Sequence, residues 1–222
     1  MVGANATALN LIVKPGETAM TRQLSALVLY FVAAPSAWGQ LLTAAAPSTL
    51  VPYTLCTFSD RLAAVSVDRL NDTPMSRPVN TASGSKPVSV ADGYRVMLAY
   101  PNTDYFVNLK VEQSVAGSFA EDKQHIVEQM QEIVAHSSGR IMKLEQTTTK
   151  GIAVFGLNNR EIDTGGVVSF YTLFDDAKGI VVTAYILNGD PQHRAFDSMA
   201  QYLKLRDKFV SDYVSCMAKN RA

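Results

Sequence analysis

The chain has 222 residues, of which 47% are hydrophobic and 18% are charged. This composition is typical of a globular domain with an apolar core and excludes a largely disordered chain. The 20 basic and 20 acidic residues give a formal net charge of +0, so we expect no electrostatic attraction of the whole chain to nucleic acid or to an anionic membrane surface.

The first segment with a clear pattern is an uncharged apolar run over residues 24–34, which follows Arg22. It is shorter than the roughly 20 residues that a membrane-spanning helix needs, and the small residues Ala37 and Gly39 precede Gln40. This pattern predicts a signal peptide that ends near Gly39 and therefore a periplasmic or secreted protein. The alternatives are a buried core helix and an uncleaved anchor. After cleavage we expect no stable membrane span.

Residues 1–19 have no amphipathic period, and Met20 is a better start for a signal peptide than Met1. We therefore interpret residues 1–39 as an upstream extension followed by the cleaved signal peptide. The small apolar residues and prolines over 40–52 predict an extended leader. The remaining residues, 53–222, are sufficient for a single domain.

Cys56 and Cys216 are the two cysteines of the chain, and both lie after the expected cleavage site. Two cysteines in an oxidising compartment usually pair, so we predict a disulfide bond between Cys56 and Cys216. The alternative is a pair of buried free thiols.

The first part of the predicted domain contains three segments. Residues 53–58 alternate and favour a strand, whereas residues 62–70 fit a helix or a strand equally well. Residues 71–86 are rich in Pro, Ser, Thr, Asn and Gly and have no period, which predicts an exposed loop.

Residues 94–100 and 106–113 are predicted to form a hairpin. In the second strand, apolar residues at 107, 109 and 111 alternate with Asn108, Lys110 and Glu112. This alternation predicts an antiparallel sheet with one buried face and one open, hydrated face.

The turn of this hairpin is a possible interaction loop, formed by Tyr100, Asp104 and Tyr105, because aromatic side chains at a loop tip can anchor a partner. The alternative is that Tyr100 and Phe106 pair across the strands in the core and that only Tyr105 is exposed.

Ser118 and Glu121 have the spacing of a capping box. The apolar stripe that follows, which includes Ile126 and Met130, predicts an amphipathic helix ending near Gly139. Residues 141–148, 152–158, 167–174 and 180–187 are β-type segments separated by short turns, most of them glycine-bearing. The two helices and the six or seven mostly antiparallel strands predicted in this way define an α+β fold.

The last predicted element is a long amphipathic helix, with Asp190 as N-cap and Pro191 in the first turn. Arg206 lies at the edge of its apolar stripe, and we expect it to pair with a carboxylate such as Asp175 or Asp176.

The segment YTLFDDAKGIVVTAYILN and the final stretch RAFDSMAQYLKLRDKFVSDYVSCMAKN resemble an uncharacterised family of bacterial exported proteins. The resemblance spans about residues 94–220 and rests on the Phe174-Asp175-Asp176 turn, residues 185–188, Arg206-Asp207 and Cys216. It brings no catalytic residue. The order of elements is also similar to the Mog1/PsbP-like α/β/α sandwich, which implies a partner-binding or assembly role.

The residues that could carry chemistry do not form a recognisable motif. His125 and His136 are eleven residues apart, about 16 Å along a helix, so they cannot share a metal ion. The carboxylate pair Asp175-Asp176 lies in a predicted turn, where Asp is common, and no nucleophile elbow, phosphate loop or dinucleotide fingerprint is present. We therefore expect no catalytic residues, no metal and no cofactor.

These observations lead to two functional hypotheses. The first is an exported, non-enzymatic binding or assembly module of the cell envelope, which binds a protein or an envelope component through its open sheet face or a loop. The alternative is a hydrolase or small-ligand binder whose dispersed site residues assemble in a cleft beside the C-terminal helix.

Overall fold

The computed structural model describes residues 48–58, 61–141, 143–162 and 166–221, which belong to one compact unit. The predicted signal peptide and residues 40–47 of the predicted leader lie outside these residues.

Eight strands form one sheet in the described part of the chain, and every pairing between them is antiparallel. The strand order is β1-β3-β4-β8-β7-β6-β5, and β2 pairs with the first half of the long strand β3. The predicted α+β fold with a mostly antiparallel sheet is confirmed. The strands are β1 Ala63–Asn71, β2 Met75–Thr81, β3 Gly84–Ala99, β4 Tyr105–Ser114, β5 Glu145–Thr149, β6 Ile152–Asn158, β7 Val167–Asp175 and β8 Ile180–Leu187.

Three helices are described: α1 Val51–Thr54, α2 Phe119–Ala135 and α3 Met199–Lys219. The long helices α2 and α3 cover opposite faces of the sheet. Leu109 of β4 packs in the same core as Phe209 of α3, which we call the α3 core. Phe174 of β7 packs in a second core with Met130 of α2, which we call the α2 core. Because successive strand residues point to opposite faces, the sheet contributes to both cores.

The alternation predicted for β4 holds on its apolar side, since Val107, Leu109 and Val111 are all buried. The polar side is less hydrated than expected. Asn108 and Lys110 are half-buried, and Glu112 is only 5% exposed. The carboxylate of Glu112 can be buried because side chains of neighbouring residues neutralise it.

The prediction of an exposed loop over residues 71–86 is wrong, because this segment contains β2 and the start of β3. The two strands form a hairpin with Val79 and Val88 buried in the α2 core. Pro78 is tolerated because, among the described strands, β2 pairs with β3 on one edge and with none on the other. The polar composition thus reflects a hairpin with one buried side, not a loop.

Two expectations near the start of the domain are also corrected. Residues 53–58 do not form a strand, because α1 occupies Val51–Thr54 and the following residues are irregular. Helix α1 also replaces the end of the predicted extended leader. Leu50 and Tyr53 are buried in the α3 core, so this segment is held by packing instead of strand pairing. Of the two alternatives for residues 62–70, the structure has the strand β1.

Both long helices begin differently from the predicted caps. Helix α2 starts at Phe119, but the Ser118 hydroxyl donates to Asp122 Oδ2 at 2.7 Å and does not cap the backbone. Helix α3 starts at Met199, where the Ser198 hydroxyl accepts a hydrogen bond from the Gln201 backbone. Asp190 is therefore not an N-cap.

A strap joins α1 to the end of α3, and its centre is the predicted disulfide bond between Cys56 and Cys216, which is confirmed. The Tyr213 hydroxyl donates to the backbone carbonyl of Tyr53 at 2.7 Å, and the Asn220 side chain donates to the carbonyl of Pro52 at 2.8 Å.

The expected ion pair of Arg206 with Asp175 or Asp176 is wrong, because each of these carboxylates has another partner. Arg221 Nε donates to Asp175 Oδ1 at 2.7 Å, and Asp175 is completely buried. Arg206 pairs instead with its neighbour Asp207. Sequence patterns did not indicate Arg221 as the partner of Asp175, because Arg221 lies beyond the amphipathic stripe.

Candidate functional site

The α2 face of the sheet is only partly covered by α2. Cross-strand pairing places five residues side by side across β3, β4, β8, β7 and β6 on this face, and we call them the open row. The side chains of its first four members remain partly exposed, whereas the fifth is buried. The open row consists of Met97, Asn108, Tyr185, Phe170 and Leu157.

The apolar end of the open row forms one side of a shallow groove of about 310 Å³. The rings of Phe170 and Tyr185 lie with centroids 5.0 Å apart, and Ile133 of α2 forms the opposite wall. Ile133 and Val167 are 37% and 44% exposed. Both side chains line the groove and add apolar surface to it.

A basic cluster of Arg77, Arg95 and Lys110 lies beside the open row. Arg77 donates to both carboxylate oxygens of Glu112, at 3.0 and 2.7 Å, and Lys110 Nζ lies 3.4 Å from the same carboxylate. Arg95 is exposed and stands directly opposite Lys110 across β3 and β4. On its other side, Arg95 is opposite Asp68 of β1. Arg77 and Lys110 therefore share the buried carboxylate of Glu112, and Asp68 stands in register beside Arg95.

The environment of Lys110 disfavours its charge. Burial is the main cause that lowers the pKa of Lys110, the neighbouring Glu112 carboxylate opposes this effect, and the nearby Arg77 and Arg95 lower the pKa further. Like charges directly opposite each other destabilise a sheet. An anionic group placed over Arg95 and Lys110 would offset the repulsion between these two side chains and would favour the charged form of Lys110.

The predicted interaction loop is divided by the structure. Tyr100 is half-buried, and its ring packs against Phe106 with centroids 5.3 Å apart. The Asp104 carboxylate accepts a hydrogen bond from the Asp190 backbone at 2.9 Å and ties two loops together. Of the three predicted residues, Tyr105 offers the exposed aromatic surface, at 49%. This arrangement matches the alternative in which Tyr100 and Phe106 pair, and binding by the loop stays a prediction.

A second depression, of about 270 Å³, lies beside α3 on the opposite face of the sheet. It lies beside the C-terminal helix, where the alternative hypothesis places a site, and we call it the α3 cleft. Glu145 and Tyr171 line its sheet side, and Arg206 and Asp207 line its helix side. Gly156 makes this space possible, because a Cβ atom there would lie 2.5 Å from the Tyr171 ring.

A buried polar network underlies the α3 cleft. The hydroxyls of Tyr171 and Ser169 donate to Asn158 Oδ1 at 2.9 and 2.6 Å, and Ser169 also bonds to the Tyr202 hydroxyl. Burial is the main cause that raises the pKa of Tyr171 to about 12 and that raises the pKa of Tyr202 as well. Both phenols are therefore neutral at physiological pH and act as hydrogen-bonding groups.

The raised pKa of Tyr171 predicts a loss of stability in alkali. The phenol ionises at pH 10.0 in the unfolded chain and at about 12 in the folded protein, so its contribution is complete below pH 10.0 and decreases as the pH rises towards 12. Over this range, the difference in free energy of unfolding between wild type and Tyr171→Phe is expected to change by about 1.4 kcal/mol per pH unit. Denaturant unfolding of wild type and Tyr171→Phe over this range measures it, and equal slopes for the two proteins would contradict the assignment.

The histidines do not converge on either depression. His125 is buried on α2 with Nδ1 2.8 Å from the Pro87 carbonyl. Asp122 is itself buried and accepts from the Ser89 backbone. His136 and His193 are exposed. Within the described ranges, no group of three potential metal-ligating side chains comes together.

Sequence reasoning missed the basic cluster. The predicted loop over residues 71–86 includes Arg77. The segment around it contains Val79 and Val88, whose spacing on either side of the turn fits a hairpin. The open row and the α3 cleft depend on cross-strand register, which local patterns do not specify.

In comparisons with known proteins, no family model, curated protein or solved structure matched the chain. The resemblances to an exported bacterial family and to the Mog1/PsbP-like sandwich therefore stay predictions.

Proposed function

We propose that this protein is an exported, non-enzymatic binding module that docks an acidic, partly apolar segment of a partner protein on the α2 face of its sheet. The observation that carries the proposal is the basic cluster beside the open row. Apolar side chains of the partner would enter the groove at Phe170, Tyr185 and Ile133, and its carboxylates would face Arg95 and Lys110.

One structural observation supports the extracytoplasmic part of the proposal. The disulfide bond between Cys56 and Cys216 is of a kind that persists in oxidising compartments and is rare in the cytosol. The signal-peptide pattern before Gln40 agrees with it. Separately, none of the described helices has the length and apolarity to cross a bilayer.

The form of the surface supports binding of a protein segment. The groove is shallow and open on one side, it joins a row of residues that crosses five strands, and its aromatic pair is rigidly placed on neighbouring strands. Aromatic residues and arginines are the side chains that contribute most to protein interfaces. Arg77 is held by its two bonds to Glu112, whereas Arg95 is exposed and the ammonium group of Lys110, paired with Glu112, stays partly exposed beside it.

The test uses two short peptides with the same pattern of leucines, one with glutamates and the other with glutamines at the remaining positions. We expect the wild-type protein to bind the acidic peptide more tightly, and the double variant Arg95→Gln, Lys110→Met to lose about tenfold in affinity. Lys204→Gln is the matched control, because Lys204 is an exposed cation on α3, which covers the other face of the sheet. Salt should weaken the wild-type interaction.

Equal affinity of the two peptides for the wild type would overturn the proposal. So would an equal loss of affinity in Lys204→Gln and in the double variant, because the binding would then depend on overall charge. The double variant should remain folded, since it removes a cation that burial and neighbouring charges disfavour; a thermal melt confirms this before binding is measured.

A further inference from the structure

Strand β5 forms an edge of the sheet that can accept another strand. It is the last strand in the order and pairs only with β6. Four of its five residues are exposed, and within the described ranges no backbone hydrogen bond reaches its outer edge. An edge of this kind binds extended segments by adding a strand to the sheet.

The side chains of β5 on the α3 side enter the α3 cleft. Glu145, Thr147 and Thr149 alternate along the strand and line the cleft together. A strand added to β5 would place every second side chain beside them, at the mouth of the cleft. The edge and the cleft therefore form one composite site, with backbone pairing at the edge and side-chain selection in the cleft.

The side chains that line the α3 cleft carry more negative than positive charge. Arg206 donates through Nε and Nη2 to the same oxygen of Asp207, at 2.8 and 2.6 Å. Glu145 stands opposite Gly156, which has no side chain to neutralise it. The two carboxylates and one guanidinium leave an excess negative charge around Glu145.

The apolar part of the cleft fits the stem of a basic side chain. Val154 on the sheet side and Val210 and Val214 on α3 line it. Lys and Arg bury their methylene groups against apolar surface and keep their charged heads near acceptors. A lysine in the cleft would pack its stem against the valines and direct its ammonium group towards Glu145 and Asp207.

We propose that β5 and the α3 cleft bind an extended segment of a partner protein, which pairs with β5 and inserts a lysine or arginine side chain into the cleft. This site lies on the opposite face of the sheet from the open row and does not depend on the function proposed above.

The probes are three short peptides of alternating threonine and valine: one with a central lysine, one with a central glutamate, and the lysine peptide N-methylated at alternate backbone positions. We expect the lysine peptide to bind the wild-type protein and to slow hydrogen exchange of β5 amides. The glutamate and N-methylated peptides should bind about tenfold more weakly or not at all.

The double variant Glu145→Gln, Asp207→Asn should lose the preference for lysine while retaining its fold, because both side chains reach solvent at the cleft. Glu121→Gln, an exposed carboxylate on α2, is the matched control. Equal binding of the lysine and glutamate peptides, or undiminished binding of the N-methylated peptide, would refute the proposal. Concentration-dependent dimerisation that protects the β5 amides without any peptide would also refute it, since a second copy would then occupy the edge.

Discussion

Replacing Cys56 and Cys216 together by serine is expected to lower the free energy of unfolding by about 3 to 5 kcal/mol. The bond joins residues 160 positions apart, so it removes many conformations from the unfolded chain. It also holds α1 against α3, where Tyr53 and Tyr213 are buried. Denaturant unfolding of the oxidised wild type and of the variant measures the difference.

The reduced wild type provides the control, because it breaks the same bond without changing the sequence. Its stability should equal that of the double serine variant. If the oxidised and reduced proteins unfolded at the same denaturant concentration, the strap would be maintained by packing and hydrogen bonds without a contribution from the disulfide.

Asp175→Ala is expected to cost about 2 to 4 kcal/mol, because it removes a buried carboxylate and leaves its partners without an acceptor. Asp175 is 0% exposed. It accepts from Arg221 at 2.7 Å, from the Tyr53 hydroxyl at 3.3 Å and from the Ala177 backbone at 3.2 Å. The cost lies below that of a fully buried pair, since the Arg221 side chain is partly exposed and can be solvated.

The adjacent residue supplies a matched control for this experiment. The side chain of Asp176 is 56% exposed and pairs with Lys123 at 2.7 Å, and an exposed ion pair contributes at most about 1 kcal/mol. Asp176→Ala should therefore change the denaturation midpoint little. Similar losses in the two variants would show that Asp175 acts only as a turn residue.

The parts of the fold that sequence reasoning predicted are those with a strong local period. The alternation in β4 and the apolar stripes of α2 and α3 depend on neighbours within a few residues, and the structure has all three elements. The hairpin of β2 and β3 was missed because its buried side is short, with Val79 and Val88 in a polar sequence. Its stability comes from packing against α2, which a local pattern does not contain.

The candidate sites also combine features that a local sequence pattern predicts with features that depend on distant residues. A polar face follows from Asn108, Lys110 and Glu112 in β4, although the structure buries Glu112 and leaves the other two half-buried. The sequence pattern did not predict the partners of these residues, because Arg77 is 35 positions from Glu112 and contacts it as a result of two strand pairings. The α3 cleft likewise arises from the pairing of Gly156 with Glu145 and Tyr171, which brings together residues from three strands.

The strap between α1 and α3 has a consequence for the order in which the domain is completed. The first and last described helices contribute to the same core, where the Tyr213 hydroxyl donates to the Tyr53 carbonyl. During synthesis from the N-terminus, the sheet strands emerge well before the helix that covers one of their faces. The apolar α3 face of the sheet therefore stays uncovered until α3 has been made. Until then, the chain depends on protection from aggregation.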